Sequence, residues 1–442
     1  MKVRILNLWY SFRASYWFVP LIMAAFAIAL SIGATIIDKS LTPHLVGKLG
    51  WLYSGGAEGA RTLLSTVAGS MITTAGVVFS ITIVALSLTS SQFGPRLLGN
   101  FMRDTGTQVV LGTFLATFIY CISVLRVIRN DEYGLFVPHF SVTLAFILAL
   151  TSTGVLIYFI HHVAASIQAD SIIASVFRDL VKAVDRMIPE TQEHGTEDPD
   201  LAAAELVVPE ELRKEGWPVA AVGSGYLQAI NLEGLTELAR EGDLILRLHH
   251  RPGKFIAEGA ILADAWPREH WDEKLTARVN SAMIRGQRRT DEQDMEFAIN
   301  QLVEVALRAL SSGINDPFTA MTCIDWLSAA LARIAQRKFP VPLHYDKEGK
   351  LRLVTIPVTF AEIVATAFGQ IRNAAGIHVP VTLRLLDAIA VIAPHVHTEG
   401  RREILEHHAV LVERSSREAG LVKDDRLAVE ERYKQTMRLL GK

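Results

Sequence analysis

Ser65–Ser91 reads STVAGSMITTAGVVFSITIVALSLTSS, an apolar run long enough to cross a bilayer. Thr66, Thr73, Ser80 and Ser87 recur every seven residues, and Ser70 and Ser91 stand four beyond Thr66 and Ser87, so all six fall on one helical face. Lipid gains nothing from such a stripe, so protein or water is expected against it. Three uses fit: hydrogen bonding across helices, close backbone approach beside Gly69 and Gly76, or the lining of a water-filled path. Lining a path requires a homo-oligomer with Thr66, Thr73, Ser80 and Ser87 around its axis. Packing requires only a neighbouring helix. Thr82 and Thr89 form a second heptad pair on another face, which suits a helix surrounded by protein.

Three further runs reach or approach the roughly 20 residues a span requires: Tyr16 to Ile37, Gln108 to Leu125 and Phe140 to Ile160. Four spans put both termini on one side. Lys2, Arg4, Arg13, Arg96, Arg103, Arg178 and Lys182 flank the spans on that side, against Lys39, Lys48, Arg61, Arg126 and Arg129 opposite. Basic flanks face the cytoplasm, so a multi-pass protein of the bacterial inner membrane with both termini cytoplasmic is expected. The first run is too long for a signal-peptide core and reads as a retained anchor. Trp9, Tyr10, Trp17, Trp51, Tyr53 and Tyr158 are the expected interfacial aromatics, and Gln92 to Thr107 the expected interfacial helix. No Asp, Glu, Lys, Arg or His lies well inside a span. Ion-coupled carriers usually need one, which favours a channel or a signalling anchor over a secondary transporter.

The chain has 442 residues, half of them hydrophobic, and a formal net charge of −2. Apolar residues concentrate before about Ile160 and charge after Gln168, so a membrane part precedes a soluble part. Near-neutral charge gives no argument for a nucleic-acid partner. The two cysteines, Cys121 and Cys323, make no disulfide framework and suit a reducing compartment.

Beyond the fourth run the helical period continues over His161 to Arg186, a helix expected to join span and soluble part rigidly. Pro189 to Pro199 reads as a linker. Alternation and glycine punctuation then predict a compact β unit with Leu232 to Arg240 as an inserted helix, and a hairpin over Leu343 to Pro357. Helices are expected over Met295 to Leu310, Pro317 to Gln336, Phe360 to Ala375, Val381 to Ala393, Arg401 to Ala419 and Asp425 to Leu440.

Two motifs stand out in the soluble part. Arg251-Pro252-Gly253-Lys254-Phe255-Ile256-Ala257-Glu258-Gly259-Ala260-Ile261-Leu262 looks like the strand-turn-strand signature of lipoyl-like domains, without their modifiable Lys at a hairpin tip, and reads as packing. In Ser311-Ser312-Gly313-Ile314-Asn315-Asp316-Pro317-Phe318, Gly313 is expected to end one helix in a left-handed turn, and Asp316 to cap the next ahead of Pro317. With Arg285, Arg288 and Arg289, Asn315 and Asp316 are the candidates for a small-ligand pocket. His395, His397, His407 and His408 with Glu399, Glu403 and Glu406 supply no closed ligand set and read as a solvated region, so no metal is expected. No Walker loop, dinucleotide fingerprint, nucleophile elbow or zinc-protease helix occurs, and neither enzyme activity nor a cofactor is expected.

Ser90-Ser91-Gln92-Phe93-Gly94-Pro95-Arg96-Leu97-Leu98, Gly106-Thr107-Gln108-Val109-Val110-Leu111-Gly112, the Arg-Pro-Gly segment and Gly313-Ile314-Asn315-Asp316-Pro317 together resemble a family of bacterial predicted membrane proteins known only as a domain of unknown function. The resemblance covers nearly the whole chain and implies no activity, substrate or catalytic residue. The expected architecture is therefore a four-span α-helical membrane domain (1–165), a helical extension and linker (166–205), a small barrel-sandwich-like β domain (206–267) and a mostly helical cytoplasmic domain (268–442). The expected function is a homo-oligomeric ion channel or pore in the lipid bilayer, regulated by its cytoplasmic domain, with inorganic ions or a small cytoplasmic ligand as further partners. The contrasting expectation is a non-conducting membrane-anchored scaffold or sensor.

Overall fold

The computed structural model describes residues 16–40, 52–95, 104–131, 134–190, 195–196 and 208–441. It divides into two units, residues 1–172 and 173–442, each treated separately. Trp9, Tyr10, Trp51 and half of the segment expected as an interfacial helix lie outside the described residues.

The first unit consists of helices α1 (Phe18–Ser40), α2 (Ala57–Phe93) and α3 (Thr105–Leu125), a short hairpin of β1 (Arg129–Asp131) and β2 (Gly134–Phe136), and helix α4 (His139–Ser166). All four helices are long and apolar enough to cross a membrane. At 37 residues α2 is about 55 Å long, nearly twice the hydrocarbon thickness, so it extends past the run expected from sequence at both ends. Helix α3 packs on the other three and is the most buried of them. Gly112 permits this at one point, since a Cβ there would stand 2.5 Å from Met23 Sδ on α1.

Buried polar groups also tie the helices together. Thr117 and Ser152 hydroxyls meet at 3.1 Å between α3 and α4. Buried Asp38, at the end of α1, accepts from the Phe140 and Ser141 backbone N–H groups (2.8 and 2.9 Å) and from Ser141 Oγ, closing the first turn of α4.

Helix α4 ends at Ser166, and α5 (Ala169–Met187) starts only after Ile167 and Gln168 leave the helical path. The single rigid helix expected over His161 to Arg186 is thus broken. The apolar period survives the break because α5 buries its own stripe, Ile173, Val176, Leu180 and Val184. Within the expected linker, Gly195–Thr196 forms a short strand, β3.

The second unit continues with α6 (Glu210–Glu215), β4 (Trp217–Ala220), β5 (Gly225–Ile230), α7 (Leu232–Glu241), β6 (Ile245–Leu248), β7 (Phe255–Ile256), β8 (Ile261–Trp266), α8 (Glu273–Ala282) and β9 (Met283–Gly286). Helices α9 (Met295–Ala309) and α10 (Pro317–Ala335) precede β10 (Phe339–Pro340), β11 (Leu343–Tyr345) and β12 (Leu351–Val354). Helices α11 (Phe360–Ala375), α12 (Val379–Ile392), α13 (Glu399–Glu418) and α14 (Lys423–Leu439) follow.

One sheet has the order β11-β12-β6-β8-β4, a second β7-β5-β9, and β3 pairs with β10. The two larger sheets share a core of Val219, Leu227, Leu246, Leu248, Leu262 and Leu353. The hairpin β11–β12 enters the sheet by parallel pairing of Leu353 with Leu246, so the β unit draws on residues well beyond Trp266. Gly253 and Gly259 flank β7 at φ of 93° and 79°, where a side chain is strained.

Helices α9 to α14 form an up-and-down bundle. Arg251 bridges Glu296 (2.9 Å) and Glu362 (2.8 Å), which fixes the first turns of α9 and α11 at the same end. The connections α9–α10, α11–α12 and α13–α14 all lie at the opposite end. Helix α10 is a fifth helix long and apolar enough to cross a membrane, but more than half of it is buried, in a bundle. Arg401, fully buried, donates to the Ala335 and Arg337 carbonyls at the end of α10 (2.7 and 3.2 Å) and lies over the rings of Phe339 and Phe360.

Candidate functional site

The stripe on α2 faces away from its own chain. Leu64, Ala68, Ala75, Val78, Thr82, Ala85 and Thr89 are buried, while Thr66, Ser70, Thr73, Ser80, Ser87 and Ser91 are exposed. With about 100° of turn per residue, the two sets occupy opposite sides of the helix. Gly69 and Gly76 sit in the exposed set, and a Cβ at either would meet nothing within 4 Å. Within one chain, then, the protein expected against this face is absent; only the second heptad pair, Thr82 and Thr89, lies in the interior.

Most of the exposed hydroxyls are satisfied within the helix. Thr66 donates to the Thr62 carbonyl (2.7 Å), Ser70 to Thr66 (2.8 Å), Thr73 to Gly69 (2.8 Å) and Ser80 to Gly76 (2.9 Å). A hydroxyl so bonded keeps its lone pairs as acceptors for a cation, for water or for a facing donor. Near the start of α2, Glu58, Thr62, Leu63 and Thr66 with Phe146 and Ala149 of α4 line an open groove of about 730 Å³.

At the other end of this unit, Asp104 accepts from the Gly106 and Thr107 backbone N–H groups (3.2 and 3.0 Å), capping α3. His162 Nε2 meets Asp104 Oδ2 at 2.7 Å, with Tyr158 stacked on the imidazole. Gly106 leaves room for this, since a Cβ there would stand 2.7 Å from His162 Nε2. The sequence signal for this cluster is i, i+4 spacing of Tyr158 and His162, which says nothing of Asp104 until α3 and α4 are packed.

The candidate pocket residues in the second unit are not gathered in one place. Arg285 donates to Asn280 Oδ1 (2.9 Å), Arg289 forks onto Asp294 (2.8 and 3.0 Å), and Arg288 is exposed. Asn315 and Asp316 lie past the other end of α9, whose 15 residues span about 22 Å. Asp316 caps α10, accepting from Phe318 and Thr319 N–H (3.1 Å each) and from Thr319 Oγ1 (2.6 Å). The left-handed residue of this turn is Asn315, at φ 51°, in place of Gly313. Asn tolerates that region better than other side chains.

The region of histidines is less solvated than its sequence suggests. His408 is buried, and burial, helped by the nearby charges of His407 and Arg372, pushes its pKa down to about 4. Glu413 is buried on the same helix. Among the described residues no group of three His, Cys, Asp or Glu side chains is arranged to hold a metal.

Residues 13–391 match the family described as predicted membrane protein, DUF2254. The chain belongs to this family. Two uncharacterized mycobacterial proteins, Rv1290c of Mycobacterium tuberculosis and Mb1321c of Mycobacterium bovis, are each 31% identical to it over 430 residues, covering 94% of this chain and 79% of the relative. No solved structure matches. Membership accounts for the apolar helices of the first unit and assigns no role to any residue.

Proposed function

We propose that this chain is a four-span protein of the bacterial inner membrane whose copies associate through the outward face of α2 and enclose an ion path there, with both termini and the second unit in the cytoplasm as a regulatory part and no enzymatic activity. The observation that carries this reading is the direction of the stripe, which is exposed on the side of α2 opposite its own chain. Thr66, Thr73, Ser80 and Ser87 repeat on one face along more than 20 residues, so symmetric copies would present rings of oxygen atoms without fixed charge.

A second reading is favoured by the back-bonding. Hydroxyls already satisfied by the preceding turn can pack dry, with Gly69 and Gly76 in close contact, giving a non-conducting scaffold or sensor held together by α2.

Flux through proteoliposomes separates the two. Conduction predicts cation or anion flux from the wild type and its loss in Thr73→Trp and Ser80→Trp. A scaffold predicts silent liposomes from a protein that still associates.

A further inference from the structure

The bundle carries an apolar rim at the end where its three short turns lie. Ile314 (45% exposed) and Phe318 (74%) belong to the α9–α10 turn, Ile377 (74%) to the α11–α12 turn and Val422 (68%) to the α13–α14 turn. Each turn contributes one or two large apolar side chains, spaced by Ser311, Ser312, Asn315 and His378. Nothing in the fold requires this: Asp316 caps α10 whatever follows at Phe318, and Ile377 sits in a three-residue turn between helices.

The path of the chain says what faces this rim. Helix α5 packs beside α10 in the same direction, because Phe177 meets Trp326 (4.4 Å) and, two turns later, Asp185 meets Arg333 (2.9 Å) and Arg337 (2.6 Å). One turn before these partners stand Ile173 on α5 and Thr322 on α10. The chain therefore enters the bundle at the end where α10 begins, which is the end of the apolar rim. Between Ser166, the last residue of the apolar helix α4, and Ile173 there are six residues, about 25 Å at full extension and less because α5 has already begun.

We infer that the turn end of the bundle rests on the lipid surface, with Ile314, Phe318, Ile377 and Val422 inserted at headgroup depth. Charge plays little part, since Lys423 and Arg426 at this end are balanced by Asp424 and Asp425. Single apolar side chains on separate turns suit a fluid partner that closes around each, in contrast to the contiguous patch a protein partner would require. The inference rests on the membrane reading of the first unit.

The test uses the full chain in liposomes, with a bimane label at one cysteine per variant: Phe318→Cys, Ile377→Cys or Val422→Cys on the rim, Tyr345→Cys on the exposed hairpin at the far end, and Ile32→Cys on the exposed side of the apolar helix α1. Both native cysteines are buried and do not compete for label. Lipid bearing a shallow nitroxide quencher is expected to quench the three rim labels at least twofold more than label 345, and Phe318→Glu with Ile377→Glu to relieve the quenching at 422. Quenching at 32 from deeper nitroxides, with the rim labels no different from 345, overturns the inference alone. Absence of quenching at 32 as well overturns the membrane reading and this inference with it. Rim labels that ignore lipid but cross-link between copies identify a second chain as the occupant and also overturn it.

Discussion

Helices α2 and α10 are both long and apolar enough to cross a bilayer, yet α5, α9 and α12 cover most of α10, whereas one whole face of α2 meets nothing of its own chain. Their sequences differ where it matters. Helix α10 keeps Ala320, Cys323, Ile324, Leu327, Leu331 and Ile334 inside and has Asp325, Arg333 and Gln336 to meet partners or water. Helix α2 keeps Leu64, Ala68, Ala75, Val78 and Ala85 inside and, between Arg61 and the end of the helix, has no charge on any side. Apolarity alone does not say what surrounds a helix; the residues on its outer face do.

The largest difference between the two should appear on truncation. Leu327→Ala, at a fully buried site of α10, is expected to destabilise the second unit by about 2–5 kcal/mol, while Val84→Ala, exposed on α2, costs less than about 0.5 kcal/mol. Thermal melts of the dissociated chain in detergent decide this, and equal costs would mean that α2 is packed within its own chain.

The interior of the bundle should also respond to acid. His408 is held neutral with its pKa depressed to about 4, so its contribution is complete above the ordinary histidine value near 6.5 and declines as pH falls from there toward 4. At most about 3 kcal/mol is involved, and His408→Leu is expected to flatten the dependence of melting temperature on pH over that window.

Next in size is the Arg-Pro-Gly turn. A Cβ at Gly253 would stand 2.3 Å from Asp294 Oδ2, and its φ of 93° is itself unfavourable for a side chain. Gly253→Ala should cost about 2 kcal/mol or more by disturbing the cap of α9, with the loss read from the same melts. By contrast a Cβ at Gly76 on α2 meets no atom within 4 Å, so Gly76→Leu is expected to leave the isolated chain unchanged or steadier by up to about 1 kcal/mol while its association, read by light scattering, is lost.

Much of the fold was legible because it depends on local period and caps. The four apolar helices of the first unit, the hairpin at Leu343 to Pro357, and Asp316 followed by Pro317 all declare themselves within a few residues. What was hidden depends on contacts far apart in sequence. The break at Ile167 and Gln168 has no glycine or proline to mark it. The parallel pairing of Leu353 with Leu246 joins segments more than 100 residues apart. The histidine segment reads as solvated because its helix is rich in charge, and only tertiary packing buries His408 and lays Arg401 over Phe339, Phe360 and the end of α10. The candidate site divides the same way: heptad spacing put the α2 hydroxyls on one face, but which way that face points required the other three helices. The five pocket residues near α9 belong to its two ends, a separation that the intervening helix, once assigned, already implied.

Disulfide cross-linking along α2 in native membranes tests the central claim most directly. Single cysteines at Thr66, Gly69, Thr73, Gly76, Ser80 and Ser87 are expected to link copies efficiently, while Ile72 and Ile81, on the flanks, link poorly. Cross-linking that is absent throughout, or that peaks on the flanks, would leave the stripe turned toward acyl chains and contradict the account.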